Sequence, residues 1–255
     1  MYKQVKLGFL LLLFSLPLLL VAGQNAEIEF KKANQLYAKL NYKDAASIYQ
    51  QMLKTGHLSA DIYYNLGNSY YKLGEIPEAI LNYEKAYKLA PGDADIQANL
   101  RLANLRITDK IEAVPEFFIS KWWHSFILFT SAEVLAVFSV IGFLLGFGLL
   151  IVYLFAVRIA IKRPAFYAGT GVLSLALLLT IVAVIQHRHL NALNSGIVFS
   201  GTVNVKSGPN ASFKSVYVIH EGIKVAVVEQ NDGWLKVVLP NGNIGWIRAS
   251  DIQYI

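Results

Sequence analysis

Two long runs of apolar residues interrupt a chain that is otherwise amphipathic. Val134–Val157 has 24 consecutive residues and Ala165–Gln186 has 22, and neither run contains a charged residue. A bilayer core about 30 Å thick is crossed by roughly 20 apolar helical residues. We therefore predict a two-helix transmembrane hairpin, with its helices over residues 131–157 and 165–186.

The loop between the two runs, residues 158–164, is short and basic. It carries Arg158, Lys162 and Arg163. Short loops rich in Lys and Arg remain on the cytoplasmic side of a membrane, so we expect these three residues to set the topology. Both flanks of the hairpin then lie on the opposite side.

A shorter apolar run, Leu7–Val21, lies near the N-terminus. Two lysines precede it and small residues follow it. This order is typical of a secretory signal peptide, which we predict over residues 1–23. An uncleaved anchor is the alternative, and both place residue 24 onward outside the cytoplasm.

Residues 26–93 contain an internal repeat. Five pairs of similar residues, all at one constant spacing, show it: Ala33 and Gly67, Asn34 and Asn68, Tyr37 and Tyr71, Ala45 and Ala79, Tyr49 and Tyr83. Small residues at such positions let the two helices of a unit cross closely. The second copy, residues 60–93, resembles the tetratricopeptide (TPR) repeat, which has the same period. The resemblance implies an all-α helical solenoid.

We assign this TPR-like domain to residues 24–113, with repeats over 26–59 and 60–93. A repeat buries its core only against a stacked neighbour. Residues 94–111 have apolar positions at helical spacing, so we predict a capping helix there, or the first helix of an incomplete third repeat.

The TPR resemblance also implies a groove that binds protein segments along the first helix of each repeat. The residues expected to line it are Phe30, Asn34, Tyr37, Tyr64, Asn65, Asn68, Tyr71 and Lys72. Some TPR proteins grip a C-terminal carboxylate with a clamp of Lys, Asn and Arg, but only Asn34 and Asn65 match that clamp here. We expect no such clamp, and ordinary solvated surface is the alternative for each groove residue.

Residues 114–130 form a predicted interfacial linker. They include Phe117, Phe118, Trp122 and Trp123, and aromatic residues are enriched at membrane interfaces. Residues 187–195 form a second short linker on the other side of the hairpin.

Residues 196–255 have the pattern of short β-strands separated by turns, among them Asn241-Gly242, a strong hairpin signal. Such a segment predicts a small all-β barrel. The order of Ser207-Gly208-Pro209, His220-Glu221-Gly222, Trp234 and Gly245-Trp246-Ile247 resembles bacterial SH3 (SH3b) domains. A ligand groove near Tyr217, Trp234 and Trp246 is the second candidate site, with packing as the alternative role of the tryptophans.

Charge and composition narrow the function classes. The net charge is +6, but residues 24–113 hold eleven basic and eleven acidic residues, and residues 190–255 hold five and four. The excess therefore lies in the membrane flanks, and we do not expect nucleic-acid binding. The chain has no cysteine, which excludes disulfides, thiolate metal sites and a cysteine nucleophile. No catalytic motif, metal site or cofactor site is evident, so we predict that the protein is not an enzyme.

The order of signal peptide, TPR pair, membrane hairpin and SH3b domain resembles the BatE family of the bacterial aerotolerance (Bat) operon. The resemblance implies partner membrane proteins with von Willebrand A domains and, indirectly, a MoxR-type AAA ATPase. We therefore predict a scaffold on the periplasmic side of the bacterial inner membrane, linked to stress or oxygen tolerance. The alternative is a tether that binds peptidoglycan through the SH3b domain.

Overall fold

The computed structural model describes residues 25–111, 114, 117–191 and 194–255. The predicted signal peptide, residues 1–23, lies outside the described residues. The described part consists of a helical domain (residues 25–111), an apolar hairpin (residues 132–191) and a β domain (residues 194–255).

The helical domain contains five helices that stack in chain order. They are α1 (residues 25–38), α2 (Tyr42–Lys54), α3 (Ala60–Leu73), α4 (Ile76–Leu89) and α5 (Ala94–Asn104). The α3 helix begins where the Ser59 hydroxyl accepts a hydrogen bond from the Ile62 N–H, and it ends at Gly74 with a φ of 84°. The prediction of a helical TPR region is confirmed.

Small residues bring the two helices of each unit together. A Cβ on Gly67 would lie 2.7 Å from the Cδ1 atom of the Tyr83 ring. Ala33 and Ala45, the corresponding small residues of the first unit, are fully buried. The repeat in the sequence therefore comes from a close helix crossing that recurs once in each unit.

The capping helix α5 is shorter than expected, since it ends at Asn104 and the prediction ran to residue 111. Beyond its end, Lys110 Nζ donates to the carbonyl oxygens of Leu105 and Ile107 at 2.6 and 2.9 Å. The side chains of Ile107 and Ile111 pack against the core of the β domain. The segment after α5 is therefore part of the interface between the helical domain and the β domain.

Three further helices follow, α6 (Phe118–Ile127), α7 (Ala132–Phe155) and α8 (Ile159–Asn191). The last two are long and apolar enough to cross a membrane, and most of their apolar side chains are exposed. They pack closely, because a Cβ on Gly142 would lie 2.9 Å from the Ala176 Cβ. The Ser139 hydroxyl also donates to the Ala176 carbonyl at 2.9 Å.

The turn of the hairpin is tighter than the predicted loop over residues 158–164. The α8 helix begins at Ile159, includes Pro164 and continues to Asn191, past the predicted end at residue 186. A proline this close to the start of a helix removes one intrahelical hydrogen bond and leaves the remaining turns intact.

The β domain is a seven-stranded antiparallel sheet. Its strands are β1 (Asn194–Val198), β2 (Thr202–Lys206), β3 (Ser215–His220), β4 (Lys224–Asn231), β5 (Trp234–Val238), β6 (Ile244–Arg248) and β7 (Ile252–Tyr254). The strand order is β3-β2-β6-β5-β4-β1-β7. The inner face carries one apolar core that includes Val205, Ile219, Leu235, Val237 and Ile247.

The prediction of a barrel is wrong, because the described strand pairings do not close the sheet. The two edge strands are β3 and β7, and β2 meets β6 at a single pair, Lys206 with Trp246. At the β3 edge, the backbone N–H of His220 donates to Asp109 Oδ2 of the helical domain at 2.7 Å. A contact between domains therefore satisfies this backbone donor on the edge strand β3.

The β domain packs directly on the helical domain. Ile197 of β1 is fully buried in one cluster with Ala79, Ile80 and Ala103. A Cβ on Gly222 would lie 2.4 Å from Ile107 Cγ2, so the β3–β4 turn fits against the end of the solenoid. The β domain thus covers the side of α4 and α5 where a further repeat would otherwise stack.

The helical domain also meets the hairpin. A Cβ on Gly92, in the α4–α5 turn, would lie 2.2 Å from the Phe129 carbonyl oxygen. The next residue, Thr130, accepts a hydrogen bond through its carbonyl from Gln186 Nε2 of α8 at 2.6 Å. The helical domain is therefore held beside the ends of α7 and α8.

Candidate binding surfaces

The concave side of the helical domain contains an open cavity of about 330 Å³. All the residues that line it belong to helices α1, α3, α4 and α5: Tyr37, Tyr64, Asn68, Tyr71, Lys72, Tyr83, Asn99 and Leu102. We call this cavity the concave groove. The β domain contributes no residue to its described lining, so the docking of the two domains leaves it accessible.

A repeated hydrogen-bond pattern forms the floor of the concave groove. Tyr83 on α4 donates to Asn68 Oδ1 at 2.7 Å, and Asn99 Nδ2 donates to the same oxygen at 2.8 Å. One repeat earlier, Asn34 Oδ1 accepts in the same way from the Tyr49 hydroxyl and from Asn65 Nδ2. The pattern thus connects the helices within each unit and the first helices of neighbouring units.

The two tyrosines of this pattern, Tyr49 and Tyr83, are buried. Burial raises the pKa of Tyr49 to about 12, with a smaller contribution from Tyr37. Burial also raises the pKa of Tyr83. Both hydroxyls stay protonated near neutral pH and can donate, and Asn65 Nδ2 and Asn99 Nδ2 donate to the same oxygens of Asn34 and Asn68.

This arrangement leaves amide groups available for a ligand. Among the described residues, Asn68 Nδ2 and Asn99 Oδ1 have no hydrogen-bond partner. A free amide donor beside a free amide acceptor matches the C=O and N–H groups of an extended peptide. The concave groove therefore presents polar groups complementary to a protein main chain, between walls formed by tyrosine rings.

Most of the predicted groove residues come together in the structure. Tyr37, Tyr64, Asn68, Tyr71 and Lys72 line the cavity, and Asn34 and Asn65 form the adjoining hydrogen bonds. Phe30 does not line the cavity, since its ring packs edge-on against Tyr49 at 6.0 Å.

The residues predicted to line the groove do not include Asn99 and Leu102 of α5. Asn99 follows Asn65 by one full period of the repeat, and Leu102 follows Asn68 by the same interval. The period of the repeat, continued into α5, identifies both positions. The capping helix thus contributes to the groove as the first helix of another repeat.

The second candidate site, in the β domain, is divided between the two faces of the sheet. Trp234 and Trp246 lie on the outer face, where Arg248 Cζ is 5.7 Å from the Trp234 ring centre and Lys236 Nζ is 5.9 Å from that of Trp246. Tyr217 packs against the core on the inner face, and its hydroxyl is buried without a partner among the described residues. The three aromatic residues therefore do not share one groove.

The predicted topology residues lie together at one end of the hairpin. Arg158 is in the turn, and Lys162 and Arg163 are in the first turns of α8. Lys162 Nζ lies 5.2 Å from the centre of the Tyr153 ring of α7. No group of three or more potential metal-ligand residues converges in the described part of the chain.

Two protein families match parts of the chain. Residues 60–93 match the tetratricopeptide repeat, and residues 201–253 match the bacterial SH3 domain. The chain combines these two modules. Both are typically non-catalytic interaction modules, and both matches agree with the resemblances in the sequence.

Curated relatives share a short segment with this chain. Sperm-associated antigen 1 of Rattus norvegicus is 34% identical over 86 residues, which are 34% of this chain and 10% of that protein. Sperm-associated antigen 1 of Mus musculus is 38% identical over 73 residues, which are 29% of this chain and 8% of that protein. The chain spans about a tenth of the length of these relatives, so their likeness is local.

Proposed function

We propose that this protein is a non-enzymatic scaffold that binds an extended segment of a partner protein in the concave groove. The observation that supports the proposal is the floor of the groove, where amide groups of Asn68 and Asn99 remain available beside tyrosine walls. Main-chain recognition of this kind gives affinity, and the rings and Lys72 add selectivity.

The scaffold is proposed to sit in the bacterial inner membrane. Its α7 and α8 helices would span the bilayer, with Arg158, Lys162 and Arg163 on the cytoplasmic side. The helical domain and the β domain would then both lie on the periplasmic side. Their direct packing, through residues such as Ile197 and Ile80, supports a common side, and the aromatic α6 would lie at the membrane interface.

The resemblance to the BatE family suggests which proteins the scaffold binds. The proposed partners are membrane proteins with von Willebrand A domains and, indirectly, a MoxR-type ATPase, in a Bat-type complex linked to stress or oxygen tolerance. If the helical domain and the β domain both bind one complex, binding by the first raises the effective concentration of the second at its own site. The overall affinity for the complex then exceeds that of either domain alone.

Affinity purification from crosslinked cells tests this proposal. The informative variants are Lys72→Glu and Leu102→Arg, because both side chains are exposed and neither takes part in the hydrogen bonds of the groove floor. We expect both to lose the partner proteins and to keep the thermal stability of the wild type. Undiminished recovery with both variants would contradict the proposal.

A peptidoglycan tether is the second candidate function. It is supported by the outer face of the β domain, where Arg248 and Lys236 lie over the rings of Trp234 and Trp246 and would meet a polymer bearing carboxylates. Co-sedimentation of the detergent-solubilised chain with purified peptidoglycan tests it. Binding that is lost in Trp234→Ala would support the tether, and the absence of co-sedimentation would exclude it.

A further inference from the structure

A second cavity, of about 520 Å³, lies between the helical domain and the β domain. It shares no lining residue with the concave groove. Helix α4 supplies Glu78 and Lys85, helix α3 supplies Tyr63, and the β domain supplies Phe199 and Gln253. We call it the interdomain crevice. Junctions between domains are frequent sites of small-ligand binding.

Three charged residues line the interdomain crevice: Glu78 and Lys85 on α4, and Lys54 on α2. Glu78 and Lys85 are seven residues apart on α4, which places them on the same face of the helix and about 10 Å apart along its axis. Neither forms an ion pair with another described residue. Lys85 Nζ instead lies 6.0 Å from the centre of the Tyr63 ring.

The crevice disfavours the charged form of both Glu78 and Lys85. Burial lowers the pKa of Lys85, and repulsion from Lys88 adds to the effect. Burial raises the pKa of Glu78, a hydrogen bond to the Glu78 backbone offsets part of the rise, and repulsion from Glu75 and Glu221 adds to it. A ligand with one charge of each sign would relieve both effects, and such perturbed groups in a cleft are typical of binding sites.

We propose that the interdomain crevice binds a short zwitterionic peptide, with its ammonium group at Glu78 and its carboxylate at Lys85. An extended chain covers about 3.3–3.6 Å per residue, so a separation of about 10 Å corresponds to roughly three residues. Tyr63 and Phe199 provide apolar surface for the side chains. This site is separate from the concave groove and does not depend on the function proposed for it.

Calorimetric titration of the detergent-solubilised full chain with trialanine tests the proposal. The matched probes are N-acetyl-trialanine, which lacks the ammonium group, and trialanine amide, which lacks the carboxylate. We expect each cap to weaken binding about tenfold, since each removes a charge-assisted interaction. These comparisons use the unaltered protein and do not depend on the folding of a variant.

Two variants then assign the ends of the peptide. In Lys85→Met, trialanine and its amide should bind equally, and in Glu78→Gln, trialanine and its acetylated form should bind equally. Lys72→Met, in the concave groove, is the matched control and should bind trialanine as the wild type does. The proposal is overturned if the binding of trialanine shows no saturation at millimolar concentration, or if neither the acetyl nor the amide cap weakens that binding. It is also overturned if Lys72→Met weakens the binding of trialanine as much as Lys85→Met does.

Discussion

Lys224 on β4 donates through Nζ to Oε2 of Glu84 on α4 over 2.7 Å, and joins residues 140 positions apart in the chain. The Glu84 side chain is only 8% exposed, and that of Lys224 is 44% exposed. The ion pair lies beside the apolar contact of Ile197 with Ile80. The β domain therefore acts as part of the cap of the helical solenoid.

Removing the lysine of this pair should destabilise the contact between the domains. Lys224→Met leaves the Glu84 carboxylate buried without its partner, at a cost of about 1–3 kcal/mol. Hydrogen exchange of the backbone amides in α4 and β1 measures this, and we expect faster exchange in both segments. Adding Glu84→Gln to the variant should restore part of the protection, because no unpaired charge remains. Unchanged exchange in Lys224→Met would refute the role of the pair.

The asparagine pattern predicts a graded series of stabilities. Tyr83→Phe removes one donor to Asn68 and should cost about 0.5–1.5 kcal/mol. Asn68→Ala removes the acceptor of the Tyr83 hydroxyl and of one Asn99 N–H and should lower the free energy of unfolding by more, although Asn99 keeps its bond to the Tyr64 hydroxyl. Urea unfolding of the helical domain gives the order. The exposed control Lys72→Ala should change stability by less than about 0.5 kcal/mol, and an Asn68→Ala variant as stable as this control would contradict the assignment.

The helix crossing at Gly67 predicts a steric effect. In Gly67→Ala the new methyl group would meet the Tyr83 ring at 2.7 Å, and such overpacking costs about 1–3 kcal/mol. Gly201→Ala is the matched control, because a Cβ there meets nothing within 4 Å. Thermal unfolding should show a Tm below that of the wild type for Gly67→Ala and an unchanged Tm for Gly201→Ala. Equal Tm values for the two variants would show that the crossing is not tight.

Glu78 predicts a pH dependence of stability. Its raised pKa means that the folded protein holds this proton to a higher pH than the unfolded chain does. The contribution of Glu78 to stability therefore falls as the pH rises from about 4 towards 7. The Tm of Glu78→Gln minus that of the wild type should rise over this range in a series of thermal scans. A difference that stays constant or falls would contradict the raised pKa.

Local patterns in the sequence predict the elements of this fold well. The period of the repeat identifies the paired helices, and the uncharged runs identify α7 and α8. The period also implies that Leu102 and Asn99 belong to the concave groove, since they repeat the positions of Asn68 and Asn65. These signals are readable because helix crossings and apolar faces recur at fixed spacing.

Contacts between distant segments are not evident in the sequence. The bond between His220 and Asp109 joins residues 111 positions apart, and no local pattern encodes such a pair. The same contact occupies the edge of β3, where the prediction of a barrel required another strand. The hydrogen bonds from the tyrosines to Asn34 and Asn68 could not be predicted from the sequence either. A polar residue on a helix face gives the same sequence pattern whether it bonds to a neighbouring side chain or to a ligand.

Site-specific photo-crosslinking in intact cells tests the central claim, that the concave groove holds a partner protein. A photoreactive residue at Leu102 lies in the groove and is half-exposed, whereas one at Val216 lies on the outer face of β3 and is equally exposed. We predict a discrete crosslinked protein from position 102 that disappears when Lys72→Glu is added, and none of the same size from position 216. The absence of a crosslink at position 102, or the same product from both positions, would contradict the claim.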